Sequence, residues 1–215
     1  MTTLKEQIAK FDENKEKQRP KDILNTMKAA TFDLKSSGLE GNSLKNGDKA
    51  PEFNLSDHNG ISQSLFNYLQ ESAVVLTFYR GGWCPYCNLE LHALQKSLPQ
   101  IEAAGAKLVA ISPETPDHSL STREKNNLAF DVLHDKGNHV AKSFGLEFIL
   151  PEVLRPIYEN LGIDIPEHNG DSTFELPMPA TYIVNQQGKI IYHFVDADYT
   201  KRLEPAKIVA KLRQG

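Results

Sequence analysis

The stretch Phe78-Tyr79-Arg80-Gly81-Gly82-Trp83-Cys84-Pro85-Tyr86-Cys87-Asn88 holds both cysteines of the 215-residue chain and its single tryptophan. It continues the run Ala73-Val-Val-Leu-Thr-Phe-Tyr79, which is β-rich and lacks polar alternation, the pattern of a strand covered on both faces. A Gly-Gly turn then opens a helical pattern in which Pro85 takes the first helical position, where its missing N–H removes no intrahelical bond. Cys84 thus stands at a helix N-terminus, where unpaired N–H groups and the positive end of the dipole favour a thiolate over a thiol. The i, i+3 spacing to Cys87 lets the two sulfurs alternate between dithiol and disulfide with little backbone movement. Cys87 also lies on the inward stripe that continues through Leu91, Leu94, Leu98 and Ile101.

Two other readings of the pair stay open. A C-x-x-C is also half a zinc site, with further ligands to be drawn from His92, His118, His134 and His139, of which His134 and His139 alone have a ligand-like spacing. The pair is otherwise an inert buried one.

The bulk properties set the limits. With 40% hydrophobic and 24% charged residues the chain is an ordinary globular one, long enough for one domain with a sizeable core. A net charge of -4 without a basic tract argues against nucleic acid as a partner. No apolar stretch approaches the roughly 18 residues of a membrane span, so no membrane role is expected. The N-terminus lacks an apolar leader, which makes the cytoplasm the expected location. In a reducing compartment a C-x-x-C is catalytic or metal-binding rather than structural. No motif calls for a cofactor or a resident metal.

Along the chain, residues 1–44 read as a helical extension. Leu4, Ile8 and Phe11 mark one amphipathic helix, and Ile23, Met27, Ala30 and Leu34 a second after Pro20. Their apolar faces are expected to pack on the main body or on a second copy in a homodimer. Residues 45–215 form the main domain: a short hairpin around Asn59-Gly60, a helix capped by Ser64, then strand, C-x-x-C helix and a strand at residues 107–112, a βαβ unit. Pro99 is expected to bend or end its helix. Thr115-Pro116 opens another helix, followed by a short strand at Phe130 and a short helix ending at Gly145. Residues 146–176 look like an insertion, with a helix near Glu152 to Leu161 that contains Pro156 and then a polar loop around Glu167 to Thr173, and are expected to lid the site. A hairpin from Ala180 to Val195 and a last helix opened by Glu204-Pro205 complete the domain. Pro177 and Pro179 precede the hairpin, and Pro179 is a candidate cis-proline, the type of peptide bond for which cis is cheap; alternatively, both prolines simply end the insertion.

This order of elements resembles the thioredoxin fold over about residues 45 to 213, with Trp83-Cys84-Pro85-Tyr86-Cys87 similar to its W-C-x-x-C signature and Pro179 at its cis-proline position. Gly47-Asp-Lys-Ala-Pro51-Glu-Phe, Leu76-Thr-Phe-Tyr79 and Ser112-Pro-Glu-Thr-Pro resemble peroxiredoxins of the alkyl hydroperoxide reductase and thiol-specific antioxidant group. The fold class implied is α/β: a central mixed β-sheet flanked by helices, here with an N-terminal helical extension. The peroxiredoxin motif P-x-x-x-T-x-x-C falls on Arg80 for its proline, Cys84 for its threonine and Cys87 for its peroxidatic cysteine, while its later arginine falls at or beside Pro179. Arg80, Arg123 and Arg202 are candidates to replace that arginine, although each by itself reads as a surface residue. Asp198 to Arg202 is a stretch that could approach the site.

The resemblance implies a peroxide reductase in which Cys87 attacks a hydroperoxide, Cys84 closes a disulfide on the resulting sulfenic acid, and a thioredoxin-like donor reduces it. The site residues expected are Cys87 and Cys84, shaped by Trp83, Pro85, Pro179 and Arg80. The alternatives are a disulfide oxidoreductase with Cys84 as nucleophile, and a non-catalytic interaction or zinc module.

Overall fold

A computed structural model describes residues 2–214. α1 (Leu4–Gln18) opens with a capping box: Thr3 Oγ1 accepts the Glu6 N–H and the Glu6 carboxylate accepts the Thr3 N–H. Pro20 separates it from α2 (Lys21–Ser36). β1 (Asn54–Asp57) and β2 (Ser62–Ser64) form the first hairpin, and Ser64 caps α3 (Leu65–Glu71) by accepting the Asn67 N–H. There follow β3 (Ala73–Phe78), α4 (Pro85–Ala103), β4 (Ala106–Ser112), α5 (Pro116–Asn126), β5 (Asp131–His134) and α6 (His139–Ser143). The chain then runs through β6 (Glu147–Ile149), α7 (Arg155–Asn160), α8 (Ile165–Asn169) and β7 (Glu175–Pro177). β8 (Ala180–Val184), β9 (Ile190–Val195) and α9 (Pro205–Leu212) end it.

Seven strands make one sheet in the order β2-β1-β5-β4-β3-β8-β9, parallel across β5-β4-β3 and antiparallel elsewhere. It is the mixed α/β architecture read from the sequence. β3 lies between β4 and β8, and its alternate residues face two different apolar layers. Val74, Leu76 and Phe78 pack with Ile111, Leu133, Phe144 and Tyr182 on one side, whereas Val75 and Tyr79 pack with Leu91, Leu94, Ile101 and Ile208 on the other. Both faces of β3 are therefore dry, which is why its sequence lacks alternation. Each buried Leu or Ile side chain contributes about 1.5–3 kcal/mol to these layers. The parallel strands β3 and β4 end at one edge of the sheet, where open α/β folds leave their ligand crevice.

The helical extension packs on this body. Leu4 is buried, Ile8 and Phe11 join the layer around α4, and Met27 and Ala30 pack with Leu154 and Tyr158. The start of α1 is held by the Glu204 carboxylate, which accepts the Leu4 N–H at 3.3 Å and the Lys5 N–H at 2.6 Å. A negative group at a helix N-terminus satisfies orphan donors and opposes the dipole.

Four local expectations fail. Pro99 neither ends nor interrupts α4, which continues to Ala103; the ring faces solvent, and burial of Leu98 and Ile101 on either side of it holds the last turn. Pro156 is not interior to a helix but sits in the first turn of α7, after a separate 3-10 turn at Glu152–Leu154. Residues 167–173 are not all loop, since α8 occupies the start, and the segment 146–176 is closed by β6 pairing with β7. No peptide bond is cis among the described residues, so Pro179 is trans; the X–Pro bond takes cis only where surrounding structure demands it, and here β8 begins directly after Pro179.

Replacing Glu204 with Ala should free the start of α1 without disturbing the sheet. Loss of a charged cap of about 1–2 kcal/mol should raise amide hydrogen exchange across α1 by roughly tenfold, with protection of β3 and β4 unchanged. Equal loss of protection in α1 and the sheet would contradict this anchoring.

Candidate active site

The site begins where β3 stops. The Tyr79 N–H still bonds Ile111 O, after which Arg80, Gly81 and Gly82 turn the chain into α4. A Cβ on Gly81 would stand 2.2 Å from Trp83 Nε1, and one on Gly82 would stand 1.9 Å from Thr122 Oγ1, so only glycines fit between the indole and α5. Asn88 Nδ2 donates to Gly82 O at 2.7 Å and Asn126 Nδ2 to Asn88 Oδ1 at 3.1 Å, pinning this turn from both helices.

Cys84 is the N-cap of α4, with Pro85 following, and Cys87 lies in its first turn; both thiols are free and buried, at 1% and 0% exposure. Two guanidiniums accompany them. Arg80, itself 2% exposed, lies over the rings of Trp83, Tyr158 and Tyr199 at 4.9, 5.6 and 4.7 Å and donates to Tyr158 Oη at 2.7 Å. Arg202, whose side chain is 1% exposed, donates through Nη2 to Cys87 Sγ at 3.3 Å and sets Nε 2.6 Å from Glu90 Oε2. Its Nη1 is held by the carbonyls of Tyr199 and Lys201.

These charges decide the protonation of the sulfurs. Burial pushes the Cys84 thiol up, but donation from the Cys87 side chain and the charges of Arg80 and Arg202 outweigh it and bring Cys84 down to about 6. Cys87 is driven up by burial and by the neighbouring Cys84. The reduced pair thus keeps one proton and one negative charge, held chiefly on Cys84. Burial raises Glu90 to about 7 against the opposing pull of Arg202.

A cavity of about 210 Å³ opens on Cys84, with Arg80, Trp83 and Tyr199 in its wall, and Cys87 does not reach it. Phe11, Lys15, Arg19 and Met27 of the helical extension, Pro85 and Tyr86 of α4, and Tyr158, Leu161 and Ile163 of the 146–176 segment complete the lining. α1 is fastened here through Tyr86, whose hydroxyl donates to Asp12 Oδ1 and accepts from Lys15 Nζ, and whose ring meets Phe11 edge-on at 5.1 Å.

Of the residues proposed from sequence, Cys84, Cys87, Trp83, Pro85 and Arg80 come together. Pro179 adjoins Arg80 in a recess beside Tyr158 and Tyr199. Arg80 and Arg202 are buried rather than solvated, which corrects the surface reading of both; Arg123 instead pairs with His58 at 2.9 Å. A zinc site is opposed by the two guanidiniums at the sulfurs, and among the described residues no cluster of three ligand-type side chains is positioned for a metal. Sequence reasoning missed Glu90. Its trace was present: a carboxylate between Cys87 and Leu91 on an apolar stripe must find a cation.

Residues 46–193 match the AhpC/TSA family. The chain is 31% identical over 105 residues to Peroxiredoxin Bcp of Escherichia coli (strain K12), covering 49% of this chain and 67% of that one. It is also 31% identical over 122 residues to a chloroplastic Peroxiredoxin Q of Sedum lineare, covering 55% and 65%. Among solved structures, peroxidoxin BcpB from Mycobacterium tuberculosis superposes with a TM-score of 0.63 at 21% identity, over 80% of this chain and 97% of that one. A peroxiredoxin-like protein from Aquifex aeolicus gives the same score at 17% identity, over 80% and 88%. These superpositions support the fold. Arg202, Glu204 and both N-terminal helices lie outside the family match.

The lowered pKa of Cys84 predicts one thiolate absorbing at 240 nm that titrates near pH 6. Reactivity toward iodoacetamide should be full above about pH 7 and fall as protonation proceeds below 6. Cys84→Ser should remove this titration, and its survival in that variant would contradict the assignment.

Proposed function

The chain belongs to the AhpC/TSA family, and from this premise we propose that it is a thiol-dependent hydroperoxide reductase cycling through a Cys84–Cys87 disulfide. The observation that carries the reading is the meeting of a stabilised thiolate and a cavity at the same sulfur, Cys84. The family register assigns the first attack to Cys87; access and charge favour Cys84, and the order is reversed accordingly.

Cys84 thiolate attacks the terminal oxygen of the hydroperoxide, forming an S–O bond as the O–O bond breaks. The departing alkoxide or hydroxide develops negative charge, which Arg80 in the cavity wall is placed to stabilise, and leaves after taking a proton from solvent. Cys84 is then a sulfenic acid. Cys87 gives up its proton and attacks that sulfur, the S–S bond forms, and water departs. A thioredoxin-type dithiol returns two electrons and two protons to the disulfide. Arg202 keeps Cys87 oriented for the second step.

Peroxide consumption with a thioredoxin-type donor tests the proposal. Cys84→Ser and Cys87→Ser should each lower steady-state turnover by ~10²-fold or more, while Cys87→Ser still consumes one equivalent of peroxide in a single turnover. Sustained turnover by Cys84→Ser, or disulfide reduction far faster than peroxide reduction in the unaltered protein, would overturn it.

A further inference from the structure

We propose that Glu90 sets the redox equilibrium of the cysteine pair by competing with its thiolate for the single guanidinium of Arg202. This rests on the reading that the pair cycles through a disulfide.

The geometry puts one cation between two acids. Arg202 contacts Cys87 Sγ at 3.3 Å and Glu90 Oε2 at 2.6 Å, and its side chain and that of Glu90 are 1% and 3% exposed. The contact with Glu90 is close but not aligned as a hydrogen bond: neither Arg202 Nε nor Glu90 Oε2 has a hydrogen-bond partner. The ion pair is therefore incompletely satisfied, and the carboxylate gains from any rise in its claim on Arg202.

Among the described residues no other cation contacts Glu90. On α4 itself Cys87 and, beyond it, Cys84 are the titratable groups of the pair. From α1, Asp12 and Lys15 are engaged at the Tyr86 hydroxyl. From α5, Asn126 bonds Asn88. α9 contributes Ile208 and Val209 to the layer on α4, and its capping Glu204 is bonded to the start of α1. Arg202 is the cation Glu90 has.

Reduction and oxidation change the competition. In the reduced site, Arg80 and Arg202 face the Glu90 carboxyl group and one thiolate, held chiefly on Cys84, which Arg202 reaches by its charge and through the Cys87 thiol it contacts. Oxidation to the disulfide removes the thiolate, and Arg202 is left to Glu90 alone. An ionised Glu90 therefore stabilises the disulfide relative to the thiolate form, and a protonated Glu90 does not. With dithiothreitol as reductant, its two thiols supply two electrons and two protons. The disulfide breaks, one proton stays on Cys87, the other is released to solvent, and dithiothreitol leaves as its cyclic disulfide. Glu90 touches neither peroxide nor, on the contacts observed, the sulfurs, and is a positioning residue acting through Arg202.

The test is the equilibrium between the full-length protein and dithiothreitol buffers at pH 8 and pH 5.5, for the unaltered chain, Glu90→Gln and Arg202→Gln. Gln keeps the shape of Glu90 and removes its charge. At pH 8, Glu90→Gln should favour the reduced pair by about tenfold, equivalent to about 30 mV. At pH 5.5 the unaltered carboxyl is protonated and so is most of the Cys84 thiolate, so the competition is lost and the two proteins should agree. Arg202→Gln should shift the equilibrium the opposite way, toward the disulfide. Agreement of Glu90→Gln with the unaltered chain at pH 8, or an equal offset at both pH values, would overturn the proposal, because a packing defect has no reason to vanish at low pH. An unaltered pair that forms no disulfide in any buffer would instead overturn the function proposed above.

Discussion

A guanidinium with 1% of its side chain exposed stays in a protein interior only with acceptors and a counter-charge beside it, and Arg202 has the Cys87 sulfur on one side and the Glu90 carboxylate on the other. That constraint organises the rest of the site. α4 must present Cys87 and Glu90 one turn apart on the same inward face, and the loop after β9 must bring Arg202 down onto them. Its guanidinium is further fixed by two carbonyls of its own loop. Arg80, caged by three aromatic rings, supplies the second positive charge. With two cations and three acids, Cys84, Cys87 and Glu90, in a dry volume, the balance of charge favours a thiolate on one sulfur and a proton on the other.

Access follows from the shell. Cys84 looks into a cavity walled by α1, α2 and the 146–176 segment, whereas Cys87 is sealed behind it. Threonine at the position of Cys84, as in the peroxiredoxin motif, would leave the cysteine at position 87 as the sulfur a peroxide meets. A cysteine there places a second, more acidic sulfur in front of it. The shell elements α1 and α2 lie outside the span matched to the AhpC/TSA family. So does Arg202, the cation that contacts Cys87.

Sequence reading recovered what local periodicity and local caps determine. The dry strand β3, the inward stripe of α4, the Ser64 cap and the two hairpins each carry their cause within a few residues. It failed where tertiary packing overrides a local rule. Pro99 does not end α4 because the apolar residues around it are buried, and Pro179 is trans where β8 begins directly after it. The charge network was the least legible part. Arg202 and Cys87 are separated by 115 residues, and no periodic pattern connects them; only the acid at position 90 on an apolar stripe hinted that a buried cation was needed. The order of attack proposed above rests on this network, which motif register does not carry.

The identity of the attacking sulfur is the most direct test. Cys84→Ser and Cys87→Ser would each receive one equivalent of hydroperoxide in the presence of a sulfenic-acid trap, and the labelled residue would be identified by mass spectrometry. Attack by Cys84 predicts a trapped sulfenate at Cys84 in Cys87→Ser and little or none in Cys84→Ser. Rapid sulfenate formation at Cys87 in Cys84→Ser, with Cys84 unlabelled in the other variant, would contradict it.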